Sequence, residues 1–166
     1  MPSEFIFWTK AILAGWLSVA LYSNIEEIRR DIAAPASWFD VRAIHVYDSF
    51  EGEPAFISVD RVIRRPFLGE WTATVRIVSD GTNSAACIAE GRASYAVDAR
   101  IPADATLDWW TGPEKCRLGA GRYRLDTIWR IWPAGYPEKM LFTQSNVFEV
   151  HPRPFAGADP RRPSPG

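Results

Sequence analysis

The segment GRYRLDTIWRIW at 121–132 constrains this chain more than any other. Tyr123, Leu125, Thr127, Trp129 and Ile131 fall on one side of an extended backbone, and Arg122, Arg124, Asp126 and Arg130 on the other. Side chains alternate across a strand with a period of two, so this run predicts a β-strand with one buried and one wet face. Shorter runs of the same kind recur at 41–48, 55–63, 86–96 and 139–150, and Trp71, Ala73, Val75 and Ile77 oppose Thr72, Thr74 and Arg76 in another. Turn residues separate them: Ser-Asp-Gly-Thr-Asn at 79–83 reads as a hairpin loop, Pro-Ala-Gly-Tyr-Pro at 133–137 as a second turn, and Gly91 as the site of a bulge. About seven strands at this spacing predict a mostly β, antiparallel two-sheet sandwich over residues 37–150. Eight Trp, five Tyr, nine Phe, 13 Pro and 11 Gly suit such a turn-rich sheet better than a helical bundle.

The ends of the chain are of another kind. Residues 5–22 read FIFWTKAILAGWLSVALY, 18 residues with one charge, Lys10. As a helix this would span about 27 Å, enough to reach across a bilayer core. Phe5, Phe7 and Trp8 at one end and Tyr22 at the other suit the interfaces, so residues 1–22 are expected to anchor the chain in a membrane by a single span, N-terminus in and domain out. The rival is a cleavable signal peptide, because Lys10, the apolar run and Ser18-Val19-Ala20 follow the order of such a signal. Ile25, Ile28 and Ile32, with Glu26 and Arg30 between them, predict a short amphipathic juxtamembrane helix in residues 23–36, ended by Pro35. The tail, 151–166, has five prolines and no apolar period and is expected to be disordered.

Charge and rare residues narrow the chemistry. Nineteen basic against 20 acidic residues leave a net charge of -1, which gives no field for nucleic acid. The two cysteines, Cys87 and Cys116, stand outside any C-x-x-C or Cys/His cluster, and the two histidines, His45 and His151, complete no metal-ligand spacing, so neither metal nor other cofactor is expected. An oxidising compartment outside the cytoplasm would allow the cysteines to pair and close a loop of about 30 residues; the alternative is two buried, unrelated thiols, the better reading inside the cytoplasm. No nucleophile elbow, phosphate loop or dinucleotide fingerprint occurs, and a Cys–His pair with His45 would need the fold to create it. Asp98, Asp104, Asp108 and Glu114 fall in loops around the Trp pair without the spacing of a calcium loop. No catalytic residues are assigned. Trp109 and Trp110 are the leading binding candidates: neighbours on a strand face opposite ways, which leaves two readings, one ring standing outside the core as a platform, or one filling the core while a neighbouring loop covers the other. Trp132, on the face opposite Trp129, is another.

Gly121-Arg122-Tyr123 resembles the tyrosine corner of immunoglobulin-like and fibronectin type III-like domains. The resemblance implies a Greek-key sandwich in which Tyr123 hydrogen-bonds backbone near Leu118. Cys116 precedes Tyr123 instead of following it, so a bridge from Cys87 would pin a loop to a strand, unlike the usual inter-sheet pin. Trp109-Trp110, Cys116, Gly121-x-Tyr123, Leu125-Asp126-Thr127-x-Trp129 and Ser145-Asn146-x-Phe148 are together similar to uncharacterised small membrane-anchored proteins of alphaproteobacteria and their phages, a resemblance that implies no known activity. The expected function is a non-enzymatic protein-interaction module, extracytoplasmic or periplasmic, held by residues 5–22. The alternative is a carbohydrate- or cell-wall-binding domain, possibly in a phage-encoded envelope or lysis protein.

Overall fold

The computed structural model describes residues 3–78, 81–111 and 116–153, with residues 3–14 described by backbone alone. The alternating run forms β6 (Gly121–Trp132), inside the sheet. On one side its antiparallel ladder to β4 (Phe67–Ile77) runs unbroken from Leu68↔Trp132 to Ile77↔Tyr123. On the other it pairs with β7 (Lys139–His151). With β1 (Phe39–Val46), β2 (Ser49–Phe50), β3 (Ile57–Ile63) and β5 (Ala85–Tyr95), these make a mostly β structure with one seven-stranded sheet, order β3-β1-β7-β6-β4-β5, β2 lying beside β7.

One hydrogen-bonded path replaces the two separate sheets expected, because the first part of the chain changes partner. β1 pairs antiparallel with β3 and touches β7, in parallel, at Ile44↔Ser145, and β2 then continues in parallel along β7 at Ser49↔Val150. The Asn146 side chain fills the step between them: its Oδ1 accepts from Val46 N at 2.8 Å and its Nδ2 donates to Val46 O at 2.9 Å. An Asn amide carries one acceptor and two donors and so stands in for a strand backbone. Asp48 Oδ1, accepting from Glu149 N at 2.7 Å, continues the stitch.

The path nevertheless folds over. Three strands separate β1 from β5 along it, roughly 19 Å in a flat sheet at about 4.8 Å per strand. Yet the Phe39 ring lies 6.2 Å from Tyr95, 5.3 Å from Phe67 and 4.8 Å from Trp129. The β1–β3 ribbon therefore packs across the face of β4, β5 and β6, and one core of Phe39, Val46, Val75, Leu125, Trp129 and Phe148 fills the space between. On the opposite face Asp126 is buried despite its charge and accepts from Arg76 Nε at 2.7 Å, Arg124 Nε at 2.9 Å and Gln144 Nε2 at 3.2 Å. Three donors balance its desolvation.

Two expectations are corrected here. No bulge sits at Gly91, where the register Trp71↔Gly91 is regular; the shift falls between Val75 and Arg76. Gly91 is needed for space, since a Cβ there would meet Trp71 Cζ2 at 2.5 Å. Residues 79 and 80 of the hairpin loop lie outside the described residues, while Gly81 and Asn83 adopt the positive φ of a tight connection, +73° and +51°. Finally, the apolar N-terminus and the amphipathic stretch are one helix, α1 (Ser3–Ile32), because no proline interrupts them and Ser23 and Asn24 bond back to the carbonyls of Val19 and Ala20 instead of capping a new helix. Ile25, Ile28 and Ile32 are exposed on it, and Glu26 pairs with Arg29 at 3.2 Å.

Among the described residues no helix is long and apolar enough to cross a membrane. The apolar side chains described in α1 reach only from Gly15 to Tyr22 before Asn24, Glu26 and Glu27 begin, and side chains 5–14 of the expected span lie outside the description. The helix ends on Lys139, whose Nζ donates to Arg30 O and Asp31 O at 2.9 and 2.6 Å, a cation satisfying the open carbonyls of a helix C-terminus. Residues 154–166 of the tail lie outside the described residues.

Candidate functional site

Along the hydrogen-bonding path the sheet ends in β3 and β5, whose outer edges pair with no strand among the described residues, and the Arg61 guanidinium of β3 over the Tyr95 ring of β5 shows the fold-over bringing the two ends together. Among the described residues the chain between β5 and β6 adds no strand to β5. It contributes an isolated bridge to β3's end, Phe56↔Thr106, and the short helix α2 (Leu107–Thr111). A cleft of about 380 Å³ remains between the edges, lined among others by Arg61 of β3, Trp71 of β4, Tyr95 of β5, Arg100, Trp109 and Trp129.

The inner face of β5 explains why the cleft exists. Cys87, Ala89, Gly91 and Ala93 stand opposite Val75, Ala73, Trp71 and Gly69, so the side chains pointing inward are small and the strand is left thinly covered. The Trp71 indole lies over Gly91 and meets Trp110 edge-on at 5.8 Å. Tyr95 stacks on Phe67 at 5.0 Å, and the Arg61 guanidinium sits 5.6 Å from the centre of the Tyr95 ring. Burial lowers the Arg61 pKa, with Tyr95 acting in the opposite sense. Burial likewise raises the Tyr95 pKa, opposed by Arg61 and by a hydrogen bond with Trp71.

The sequence candidates divide around this cleft. Trp109 and Trp110 place one ring out and one in, at 53% and 6% exposure, on α2 and not on the expected strand. Successive helical residues are about 100° apart, which is enough to separate the two rings. Trp110 packs at 5.8 Å from both Trp71 and Trp129, so it is a core residue, and only Trp109 offers a platform. Trp132 is on the outer face, half-buried, 5.6 Å from the Arg92 guanidinium, and the fold does not bring it to the cleft. Arg61, Trp71 and Arg100 had no motif to announce them; they are functional candidates only because distant segments meet.

Cys87 and Cys116 form a disulfide with a Cα–Cα distance of 5.5 Å, which ties the stretch after α2 to the inner face of β5. Neither is a free thiol, so the Cys–His arrangement with His45 does not form; His45 lies against Tyr47, ring centres 4.5 Å apart. Glu114 lies outside the described residues, and among those described no three His, Cys, Asp or Glu side chains form a group that could hold a metal. The Tyr123 hydroxyl donates to Gly119 O at 2.9 Å, one residue beyond the expected Leu118. Glu51 Oε1 accepts from Ala120 N at 2.7 Å beside it, and burial, then Glu51, raises the Tyr123 pKa.

Two other hollows, each of about 400 Å³, are less suited to a ligand's charge. One, on the outer face, holds Glu70 and Glu90 with Arg92 and Arg130, and Glu70 stands 3.8 Å from Arg92. The other, near the disulfide, mixes Glu53 and Asp108 with Arg117. No family model, curated protein or solved structure matches this chain.

Proposed function

We propose that this chain is a non-enzymatic binding module of immunoglobulin-like sandwich type, working outside the cytoplasm and engaging a protein partner through the cleft between β3 and β5. The observation that carries the reading is the lining of that cleft, aromatic rings and arginines beside an uncovered strand edge, which is the equipment of recognition. The sandwich reading draws support from the Tyr123–Gly119 hydrogen bond and from the β1–β2 segment, whose β1 pairs with β3 and whose β2 joins β7 in parallel. The compartment is supported by the disulfide, since such bonds persist where the surroundings are oxidising. Attachment to a membrane by residues 5–22 is part of the proposal. Trp16, Leu17, Val19, Leu21 and Tyr22 are all more than half exposed along α1, an apolar surface that a bilayer would cover.

The test uses the full-length chain in its native cells, with a photo-reactive amino acid in place of Trp109 and, as control, in place of Tyr47. The expected result is a defined protein adduct from position 109 alone, in the membrane fraction, with both cysteines unlabelled by a thiol reagent until reduction. Equal adducts from both positions, or free cysteines in a soluble chain, would refute the reading. A glycan partner is the second reading, favoured by the single exposed indole of Trp109 beside the cleft.

A further inference from the structure

We propose that the β3–β5 cleft receives an extended acidic peptide segment, which adds as a strand to the uncovered edge of β5 and places its carboxylates against Arg61 and Arg100. This rests on the interaction-module reading and names the chemistry of the partner.

The first support is charge. Arg61, Arg92 and Arg100 line the cleft and no Asp or Glu does. Arg92 is engaged with Glu70 at 3.8 Å, whereas Arg61 and Arg100 have no carboxylate or hydrogen-bond acceptor among the described residues. Arg61 is half-buried over the Tyr95 ring, and a cation withdrawn from water without a counter-charge is a standing cost that an incoming anion removes. Burial accordingly lowers its pKa.

The second is an orphan donor. Trp129 lines the same cleft at 2% exposure, and its indole N–H has no acceptor among the described residues. Buried N–H groups are rarely left unpaired. The cation asks for oxygen, and the unpaired N–H beneath it marks this end of the core as polar and unsatisfied.

The third concerns shape and separates a peptide from an acidic saccharide. Gly91, Arg92, Ala93, Ser94 and Tyr95 are consecutive and all line the cleft, so the strand's edge, not one face of it, borders the cavity. Among the described residues β5 pairs only with β4. Alternate residues of such a strand direct N–H and C=O groups away from the sheet, the template that a partner strand completes.

Fluorescence anisotropy on the full chain decides it, with a labelled ten-residue peptide alternating Val and Glu as probe. The controls are the same peptide with Lys for Glu, the same peptide N-methylated at alternate residues, and a uronate oligosaccharide. The acidic peptide is expected to bind, to weaken as salt rises from roughly 0.05 to 0.5 M, and to protect amides 89–95 from hydrogen exchange. The Lys and N-methylated peptides are expected not to bind. Arg61→Met, which keeps the stem over Tyr95, and the exposed Arg100→Ser are each expected to weaken binding about tenfold or more. Both should leave the thermal midpoint near that of the parent, so a folding defect cannot imitate the effect.

Equal binding of the Lys or N-methylated peptide, or binding without protection of β5, overturns strand addition. An Arg61-dependent saccharide complex without peptide binding overturns the occupant. If no probe binds while position 109 still yields its protein adduct in cells, this inference fails and the module reading stands; peptide binding without that adduct is the reverse case.

Discussion

Removing the disulfide, through the double substitution Cys87→Ala with Cys116→Ala, should lower stability by an amount that loop closure sets. The bridge spans 29 residues of sequence. On the chain-entropy relation a loop of that length restricts the unfolded chain by about 12 cal/mol/K, or about 3.5 kcal/mol at room temperature. The native state loses little packing, because each cysteine becomes a similar small apolar side chain. With a urea slope of about 2 kcal/mol/M for a domain of this size, the unfolding midpoint should fall by about 1.7 M. The assay is urea unfolding followed by far-ultraviolet circular dichroism, oxidised parent against the double variant, with reduced parent as a second comparison. A local effect accompanies the global one. Cys116 is the tether nearest the end of α2, whose Trp110 closes the cleft against Trp71 and Trp129, so acrylamide should quench tryptophan fluorescence more strongly in the folded variant. A midpoint shift under about 0.5 M would refute the loop argument. An unchanged quenching constant would show that α2 holds its place by packing alone.

The two neighbouring tryptophans should separate cleanly in calorimetry: Trp110→Ala should cost about 3 to 5 kcal/mol as a buried ring lost from the core, and Trp109→Ala under about 0.5 kcal/mol. Gly91→Ala should destabilise by about 1 to 3 kcal/mol through overpacking against the Trp71 indole, and its thermal midpoint together with the shift of the Trp71 ring signals in NMR would check this. Asn146→Ala removes both hydrogen bonds to Val46 and should cost about 2 kcal/mol; Asn146→Asp, which sets a carboxylate oxygen against the carbonyls of Val46 and Val147, should cost at least as much in the same urea titration. In a spectrophotometric tyrosine titration Tyr95 and Tyr123 should ionise above the ordinary value of 10.0, since burial raises both. An unfolded chain releases these protons first, so their contribution is full below pH 10 and is lost as pH rises through the folded values. A midpoint for unfolding that rises between neutral and strongly alkaline pH would contradict that sign.

The strands were legible because their signal is local. β6 occupies the 121–132 run, and β1, β3, β5 and β7 lie within two residues of their predicted bounds at every end, since alternation needs only neighbours to be read. The short β2 carried no such signal: two residues cannot show a period, and Ser49 and Phe50 are a strand only because Asn146 and Asp48 bring β7 alongside. The Trp pair shows a choice that the strand reading left open, because one ring in and one out follows here from a helical turn.

What the sequence determined by itself is a mostly β chain with an apolar N-terminal helix, a wet and a dry face on its longest alternating strand, and two cysteines able to meet. Those properties reside in residue order over a few positions, where backbone geometry links neighbours directly. Tertiary structure alone decided the single folded-over sheet, the disulfide and the cleft. Arg61, Trp71, Tyr95, Trp109 and Trp129 come from β3, β4, β5, α2 and β6, and no local pattern joins them. They converge because small residues on β5 leave a strand edge uncovered and the core draws β3 across to face it, a long-range balance of burial that no short window of sequence contains.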